Sequence, residues 1–160
     1  MRNFVLPLVF LFLLFTSPRC AKNTACTPKT AASEAPQIQG YATANNINAV
    51  AHSSGLYYEI IDPGTGAMPT INSNIAITYT GMLLNGTVFA QQTSPNNTQA
   101  DPPWPLSALI EGWRIGIPLI KKGGRIKLII PSSLAYGCTG KGAIPGNSIL
   151  FFDITLVDVQ

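Results

Sequence analysis

The chain has 160 residues, which is enough for about one domain with accessory segments. Charged residues make up 11% of it, against roughly 25% in a typical soluble domain, so acid–base chemistry has few candidate groups. The formal net charge is +3, but Arg2, Arg19 and Lys22 lie near the N-terminus, and from Cys26 onward seven basic residues balance seven acidic ones. The charge therefore argues against a nucleic-acid partner.

The N-terminal segment is typical of an export signal. Arg2 precedes an apolar run at residues 4–15, and about 12 residues is short for a membrane span but suits the hydrophobic centre of a signal peptide. We assign residues 1–25 to a signal peptide or lipoprotein leader and predict an exported protein of the periplasm or cell envelope. Two processing sites stay open. Cys20 is placed as a lipoprotein cysteine would be, although Arg19 replaces the usual small residue, and Ala25 is the alternative. A lipid anchor is the only membrane attachment expected.

The chain has three cysteines, and export permits disulfides. Cys20 can pair with Cys26 and leave Cys138 unpaired, and a free Cys138 thiol in a loop is the other interpretation. The cysteines and the single histidine, His52, show no metal-ligand spacing, and no nucleophile elbow, phosphate loop or dinucleotide fingerprint is present. We therefore predict neither a metal nor a cofactor.

Residues 26–53 are predicted to be a linker with a short helix. Residues 26–37 are small and polar with two prolines, which is typical of a tether. From Ser33 to Asn46 the pattern favours a helix, with Glu34 early and Ile38 and Ala42 on one face.

Strand patterns begin at Gly55. Residues 55–61 are rich in β-forming side chains, and residues 74–81 alternate, with Ile75, Ile77 and Tyr79 on one face. Residues 83–89 predict a hairpin, in which Asn85-Gly86 suits a type I′ turn.

The second half begins with a long polar loop at residues 91–105, and residues 106–119 can hold one short helix before Pro118. Residues 124–131 alternate again, a glycine-rich loop occupies residues 137–146, and residues 149–159 form a final strand with Phe152 on its core face. Antiparallel strands with one short helix against one face of the sheet indicate an α+β fold.

Four separated motifs, "YTGMLLNGTVF", "PLSALIEGW", "IPSSLAYG" and "IPGNSILFFDITLVDV", occur in this order. In sequence and spacing they resemble the FKBP-type peptidyl-prolyl cis-trans isomerases over about residues 55–159. The resemblance implies a domain at residues 54–160, in which a curved antiparallel sheet of five to six strands wraps around the short helix that carries Trp113. It also implies a shallow apolar pocket that accepts a proline ring.

When the family's pocket residues are assigned to matching motif positions, the resemblance implies that Trp113 forms the floor of the pocket. The Ile110 N–H would donate to a substrate carbonyl, and the Tyr136 hydroxyl would be a second polar contact. Glycine on either side of Trp113 would let the ring be approached closely. For any single aromatic residue, core packing is the alternative. The residues implied as catalytic are Tyr79, Phe89, Ile110, Trp113, Tyr136 and Phe152, and those implied as substrate-binding are Leu109, Trp104, Ile144 and Ala90.

One position departs from the family pattern, because Ala90 follows "TVF" where the family has aspartate. The resemblance implies a peptidyl-prolyl isomerase that assists the folding of exported proteins. A chaperone or assembly module that binds proline segments with weak or no turnover is the alternative. Proline-containing polypeptides are the implied partners, and macrolides of the rapamycin type are implied ligands.

Overall fold

The computed structural model describes residues 26–160, so the predicted leader and the interpretation of Cys20 lie outside it. Within this part of the chain no helix is long and apolar enough to cross a membrane. Among residues 26–160 the α-helices are α1 (Ala31–Ala44) and α2 (Glu111–Gly116), and short 3-10 turns occupy Leu106–Ala108, Ile117–Leu119 and Ser132–Leu134. The strands are β1 (Val50–Ala51), β2 (Tyr57–Asp62), β3 (Asn74–Leu83), β4 (Val88–Gln92), β5 (Trp104–Pro105), β6 (Arg125–Ile130) and β7 (Leu150–Val159).

The seven strands form one antiparallel sheet in the order β1-β2-β6-β7-β3-β4, and β5 pairs with β3. Five of them have at least five residues, and β1 and β5 have two each. The predicted α+β fold, a curved antiparallel sheet with one short helix against it, is confirmed.

Helix α2 lies against the inner face of the sheet, and its glycines explain how closely it does so. A Cβ atom on Gly112 would lie 2.8 Å from Ile130 Cδ1, and one on Gly116 would lie 2.7 Å from both Leu128 methyl groups. The glycines therefore let the helix approach β6. The prediction that they free the Trp113 ring for close approach was wrong, because both face the sheet.

Helix α1 covers the outer face of the sheet. Its Ile38 is fully buried, and Ala42 lies beside it in a second apolar cluster. That cluster also contains Tyr57, Ile129, Ile149 and Phe151. The helix begins at Ala31 with its first turn capped by Thr30, so the prediction of a tether up to residue 37 was wrong for its last seven residues. The domain boundary at residue 54 stays a prediction.

Two local predictions need correction. The hairpin between β3 and β4 forms, but only Gly86 has a positive φ (+87°). The Gly86 N–H donates to the Leu83 carbonyl, which makes a three-residue connection ending in a left-handed glycine instead of a type I′ turn. Among the cysteines, Cys26 pairs with Cys138, with their Cα atoms 5.6 Å apart. Neither the Cys20–Cys26 pair nor a free Cys138 is therefore correct, because folding brings together two residues that are 112 positions apart.

The long polar loop is held to β3 by one buried amide. Asn96 is fully buried, and its Oδ1 accepts from the Ile77 N–H at 2.8 Å. Its Nδ2 donates to the Ile75 carbonyl at 3.0 Å. The side chain thus occupies the place of a neighbouring strand between β4 and β5, and it fixes the loop that leads to Trp104.

We expect Asn96→Ala to lower the free energy of unfolding by about 2 kcal/mol or more, because each buried polar group left unpaired costs roughly 1–3 kcal/mol. The exposed neighbour Asn97 gives the matched control Asn97→Ala, which should change stability little. Denaturant unfolding of both variants measures the difference. Equal midpoints would show that the Asn96 bonds do not hold the loop.

The basic residues after α2 are mostly paired. Arg125 binds both carboxylate oxygens of Asp153, at 2.8 and 2.7 Å, and Lys122 lies 2.5 Å from Asp158. Lys127 lies 3.2 Å from Glu59, whose pKa is held below its ordinary value by the Asn48 N–H and, to a lesser degree, by Lys127. These pairs neutralise a strand surface that the sequence alone shows only as basic.

Candidate functional site

A cleft of about 550 Å³ opens between α2 and the inner face of the sheet. The ten site residues named from the sequence all lie in its lining, although β3, β4, β5, β7, α2 and two loops contribute them. They are Tyr79, Phe89, Ala90, Trp104, Leu109, Ile110, Trp113, Tyr136, Ile144 and Phe152. The fold therefore brings the four sequence motifs to one place.

Trp113 lies at the bottom of the cleft and is 4% exposed. Its ring centroid is 5.1 Å from that of Tyr79 and 5.0 Å from that of Phe152, with both pairs at 82°. Phe89 meets Phe152 at 5.5 Å and 86°. Edge-to-face packing of this kind is favourable and directional, so each ring fixes the next. The result is a rigid apolar floor with two walls.

Gly81 in β3 makes room for the two phenyl rings. A Cβ atom there would lie 2.7 Å from Phe152 Cε1 and 2.9 Å from two atoms of the Phe89 ring. The glycine therefore sets how closely the walls meet behind the cleft.

We expect Gly81→Ala to destabilise the protein by about 1–3 kcal/mol, the usual cost of overpacking, and to displace Phe89 and Phe152. Gly40→Ala is the matched control, since its added methyl group meets nothing within 4 Å and should stabilise α1. Thermal unfolding gives the stabilities, and near-ultraviolet circular dichroism reports the aromatic packing. An unchanged spectrum would show that the rings do not depend on the glycine.

Polar groups stand at the rim of the cleft. Ile110 is the residue before α2, and its carbonyl accepts from the N–H groups of Trp113 and Arg114 at 3.0 and 3.1 Å. Within residues 26–160 its own N–H has no hydrogen-bond acceptor. This donor is therefore available to a ligand at the rim.

Tyr136 lies in the loop opposite α2, with the Lys141 ammonium 5.3 Å from its ring centroid. Lys141 and Ile144 exchange two backbone hydrogen bonds of 2.9 Å, and Gly142 between them has a φ of +55°. The tight turn places its tip over the cleft, and Ala108, Lys141, Gly142 and Ala143 complete the lining. Sequence reasoning missed these four. The glycine-rich stretch indicated a loop but not the direction in which it folds.

The cleft has little charge. Among the described residues Lys141 is the one charged residue in the lining. Ala90, which stands where the resemblance implies an aspartate, pairs with Gly81 in the sheet. Burial raises the pKa of the Tyr79 phenol above its ordinary value, and the nearby Tyr136 adds to the shift. Tyr79 therefore stays a neutral hydroxyl at physiological pH. The Trp113 Nε1 is buried without a hydrogen-bond partner in the described part of the chain.

Other reactive groups lie elsewhere. His52 is outside the lining and bonds Ser54 Oγ at 2.9 Å in the turn between β1 and β2. No group of three or more metal-ligating side chains occurs among residues 26–160. The arrangement is that of an apolar binding cleft with a few hydrogen-bonding groups at its edge.

The chain is similar to known proteins of one family. Residues 66–157 match the family described as FKBP-type peptidyl-prolyl cis-trans isomerase. The FKBP-type peptidyl-prolyl cis-trans isomerase FkpA of Escherichia coli K12 is 40% identical over 109 residues, which are 68% of this chain and 39% of that protein. FkpA of Buchnera aphidicola subsp. Schizaphis graminum is 45% identical over 109 residues, 68% of this chain and 42% of its own length. The chain thus spans about two fifths of these relatives.

Solved structures agree in fold. The crystal structure of FkpA from Escherichia coli has a TM-score of 0.67 and 35% identity, and the match covers 81% of this chain and 61% of that one. The crystal structure of AtFKBP13 has a TM-score of 0.61 and 30% identity, over 71% of this chain and 99% of the other.

Proposed function

The chain belongs to the FKBP-type peptidyl-prolyl cis-trans isomerase family, and on that premise we propose that it isomerises X–Pro peptide bonds in the cleft over Trp113. The observation that carries the proposal is a cluster of edge-to-face aromatic rings beside the Ile110 N–H, which has no acceptor within residues 26–160. A proline ring needs an apolar site of this kind, and the carbonyls beside it need a donor.

The apolar character of the cleft is suited to lowering the rotational barrier of this reaction. Rotation about a peptide bond costs about 18–20 kcal/mol because it breaks the conjugation of the amide. The twisted transition state has less charge separation than the planar amide. A dry apolar cleft should therefore stabilise the transition state more than the ground state, which is what catalysis requires.

The residues take the following roles in this proposal. Trp113 lies beneath the proline ring, and Phe89 and Phe152 hold its sides. The Ile110 N–H and the Tyr136 hydroxyl bind the flanking carbonyls and leave the carbonyl before proline free to rotate. No covalent bond forms or breaks, so the reaction itself needs no nucleophile. Tyr79, Leu109, Trp104 and Ile144 shape the surrounding wall.

The setting of the activity is proposed from the leader and the cysteines. Residues 1–25 would direct export to the periplasm or cell envelope, and the Cys26–Cys138 disulfide fits an oxidising compartment. Exported proteins with slow prolyl bonds are then the substrates. A lipid anchor at Cys20 and binding of macrolides of the rapamycin type are further parts of the proposal, and residues 54–160 are its catalytic domain.

The experiment is the refolding of a protein limited by a non-native prolyl bond, a step that takes roughly 10–100 s without a catalyst at 25 °C. Substoichiometric amounts of the full chain should shorten this phase. A chaperone without turnover, the second candidate favoured by Ala90, would act only in stoichiometric amounts. Refolding that stays slow at any ratio would exclude both.

Ala90→Asp should raise kcat/KM by about tenfold, since a hydrogen bond to a charged group contributes roughly 1.5 kcal/mol at the low end of its range, and this energy corresponds to about a tenfold change in rate. The new carboxylate would share the cleft with the Tyr79 hydroxyl, which forms no hydrogen bond within residues 26–160. Ala90→Asn, of similar volume and no charge, is the control. Steady-state isomerisation of a proline peptide compares them. Equal rates for both variants would show that a carboxylate at this position does not limit turnover.

A further inference from the structure

The loop at residues 132–148 carries Tyr136 and Ile144 to the cleft, and it is attached to a segment far away in sequence. We call residues 26–34 the N-terminal arm. The arm lies outside the residues that match the family, which begin at residue 66. It contacts the loop through a buried carboxylate, a disulfide and a hydrogen bond.

The buried carboxylate belongs to Glu34, which is 2% exposed in the first turn of α1. Glu34 Oε2 accepts from the Ser132 N–H at 2.7 Å, and Oε1 accepts from the Ser132 hydroxyl at 2.9 Å. A buried carboxylate is tolerated only when its oxygens are paired in this way. Ser132 is therefore fixed in position by a residue 98 places earlier.

Ser132 passes this constraint on to Tyr136. Its carbonyl accepts from the Ala135 N–H at 3.1 Å and the Gly137 N–H at 2.8 Å, the residues on either side of the tyrosine. Two consecutive links, from Glu34 to Ser132 and from Ser132 to the backbone on either side of Tyr136, thus connect α1 to the rim of the cleft.

The arm holds the far side of the same loop as well. Cys26 is bonded to Cys138, two residues after Tyr136. The Asn147 side chain donates to the Thr27 carbonyl at 2.9 Å, and the Asn147 N–H donates to the Gly137 carbonyl at 2.7 Å. Both ends of the loop are therefore tied to the arm.

We propose that the N-terminal arm is a clamp for the substrate loop, and that Glu34 is its positioning residue. The inference rests on the proposed function, because it assigns Glu34 to the placement of Tyr136 against a bound proline segment. Glu34 touches no substrate. Its effect is to keep the Tyr136 hydroxyl and Ile144 at a fixed distance from α2.

The test compares three variants of the full chain. Glu34→Ala removes both bonds to Ser132, whereas Glu34→Gln can restore both, by accepting from the Ser132 N–H and donating to Oγ. Ile38→Val, buried one turn further along α1, destabilises the helix without touching the loop. For each variant, KM and kcat for a proline peptide are measured together with amide hydrogen exchange at Ala135 and Gly137.

We expect Glu34→Ala to raise KM about three- to tenfold with a smaller change in kcat, and to speed exchange at both amides, because a lost positioning contact weakens binding before it alters chemistry. Glu34→Gln and Ile38→Val should resemble the wild type. An unchanged KM in Glu34→Ala, or equal losses in Glu34→Ala and Ile38→Val, would overturn the clamp. An inactive wild type would instead overturn the proposed function. In that case, unchanged amide exchange at Ala135 and Gly137 in Glu34→Ala would overturn the clamp, and faster exchange would support it.

Discussion

Replacing Phe89 with alanine is expected to lower kcat/KM for proline substrates by about 10- to 100-fold, because burying a phenyl ring contributes roughly 1.5–3 kcal/mol. Phe89 forms one wall of the cleft, and its ring meets Phe152 edge to face. The proline ring would lose that wall in the ground state and in the transition state alike. Steady-state isomerisation of a proline peptide gives the ratio.

The matched control is Val88→Ala on the same strand. Val88 is 51% exposed and lies outside the lining, so its loss should leave kcat/KM unchanged. Both variants must show cooperative unfolding before rates are compared. Equal activity in Phe89→Ala and wild type would mean that the proline ring does not bind at this wall.

The second large effect concerns stability. Ile38→Ala should lower the free energy of unfolding by about 2–5 kcal/mol, since truncating a fully buried aliphatic side chain leaves a cavity. The lost methyl groups face Tyr57, Ile129 and Phe151, so α1 would come away from the outer face of the sheet more readily.

Val50→Ala serves as the control for this change. Val50 is an aliphatic residue at 55% exposure in β1, and its truncation should cost little. Denaturant unfolding compares the midpoints of the two variants, provided that the dependence of the unfolding free energy on denaturant is the same in both. Similar midpoints would contradict the finding that α1 is part of the folded core.

The sequence predicted the strands well where apolar residues recur at every second position. The alternation in β6 places Ile126, Leu128 and Ile130 in the inner core, and the same rule places Phe152 there from β7. It could not reveal the position of α1. The local spacing places Ile38 and Ala42 on one face of the helix, but it does not show that they pack against strands from distant parts of the chain.

The site was predicted from sequence motifs, and the structure explains why some motif positions hold the residue type that they do. Gly112 and Gly116 permit the approach of α2 to β6, a contact between elements that periodicity does not show. The pairing of Cys26 with Cys138 depends on the arm crossing the loop, so spacing alone could not identify it. Local pattern thus identifies the elements, and the contacts between them come only from the fold.

Isomerisation in the cleft is tested most directly by nuclear magnetic resonance exchange spectroscopy on a short X–Pro peptide with catalytic amounts of the full chain. Without protein, cis and trans interconvert too slowly for exchange to appear on the timescale of the experiment. If the cleft catalyses isomerisation, exchange cross-peaks grow with the amount of wild-type protein and are lost with Phe89→Ala. Peptide resonances that broaden on binding while no cis–trans cross-peaks appear would contradict isomerisation in the cleft.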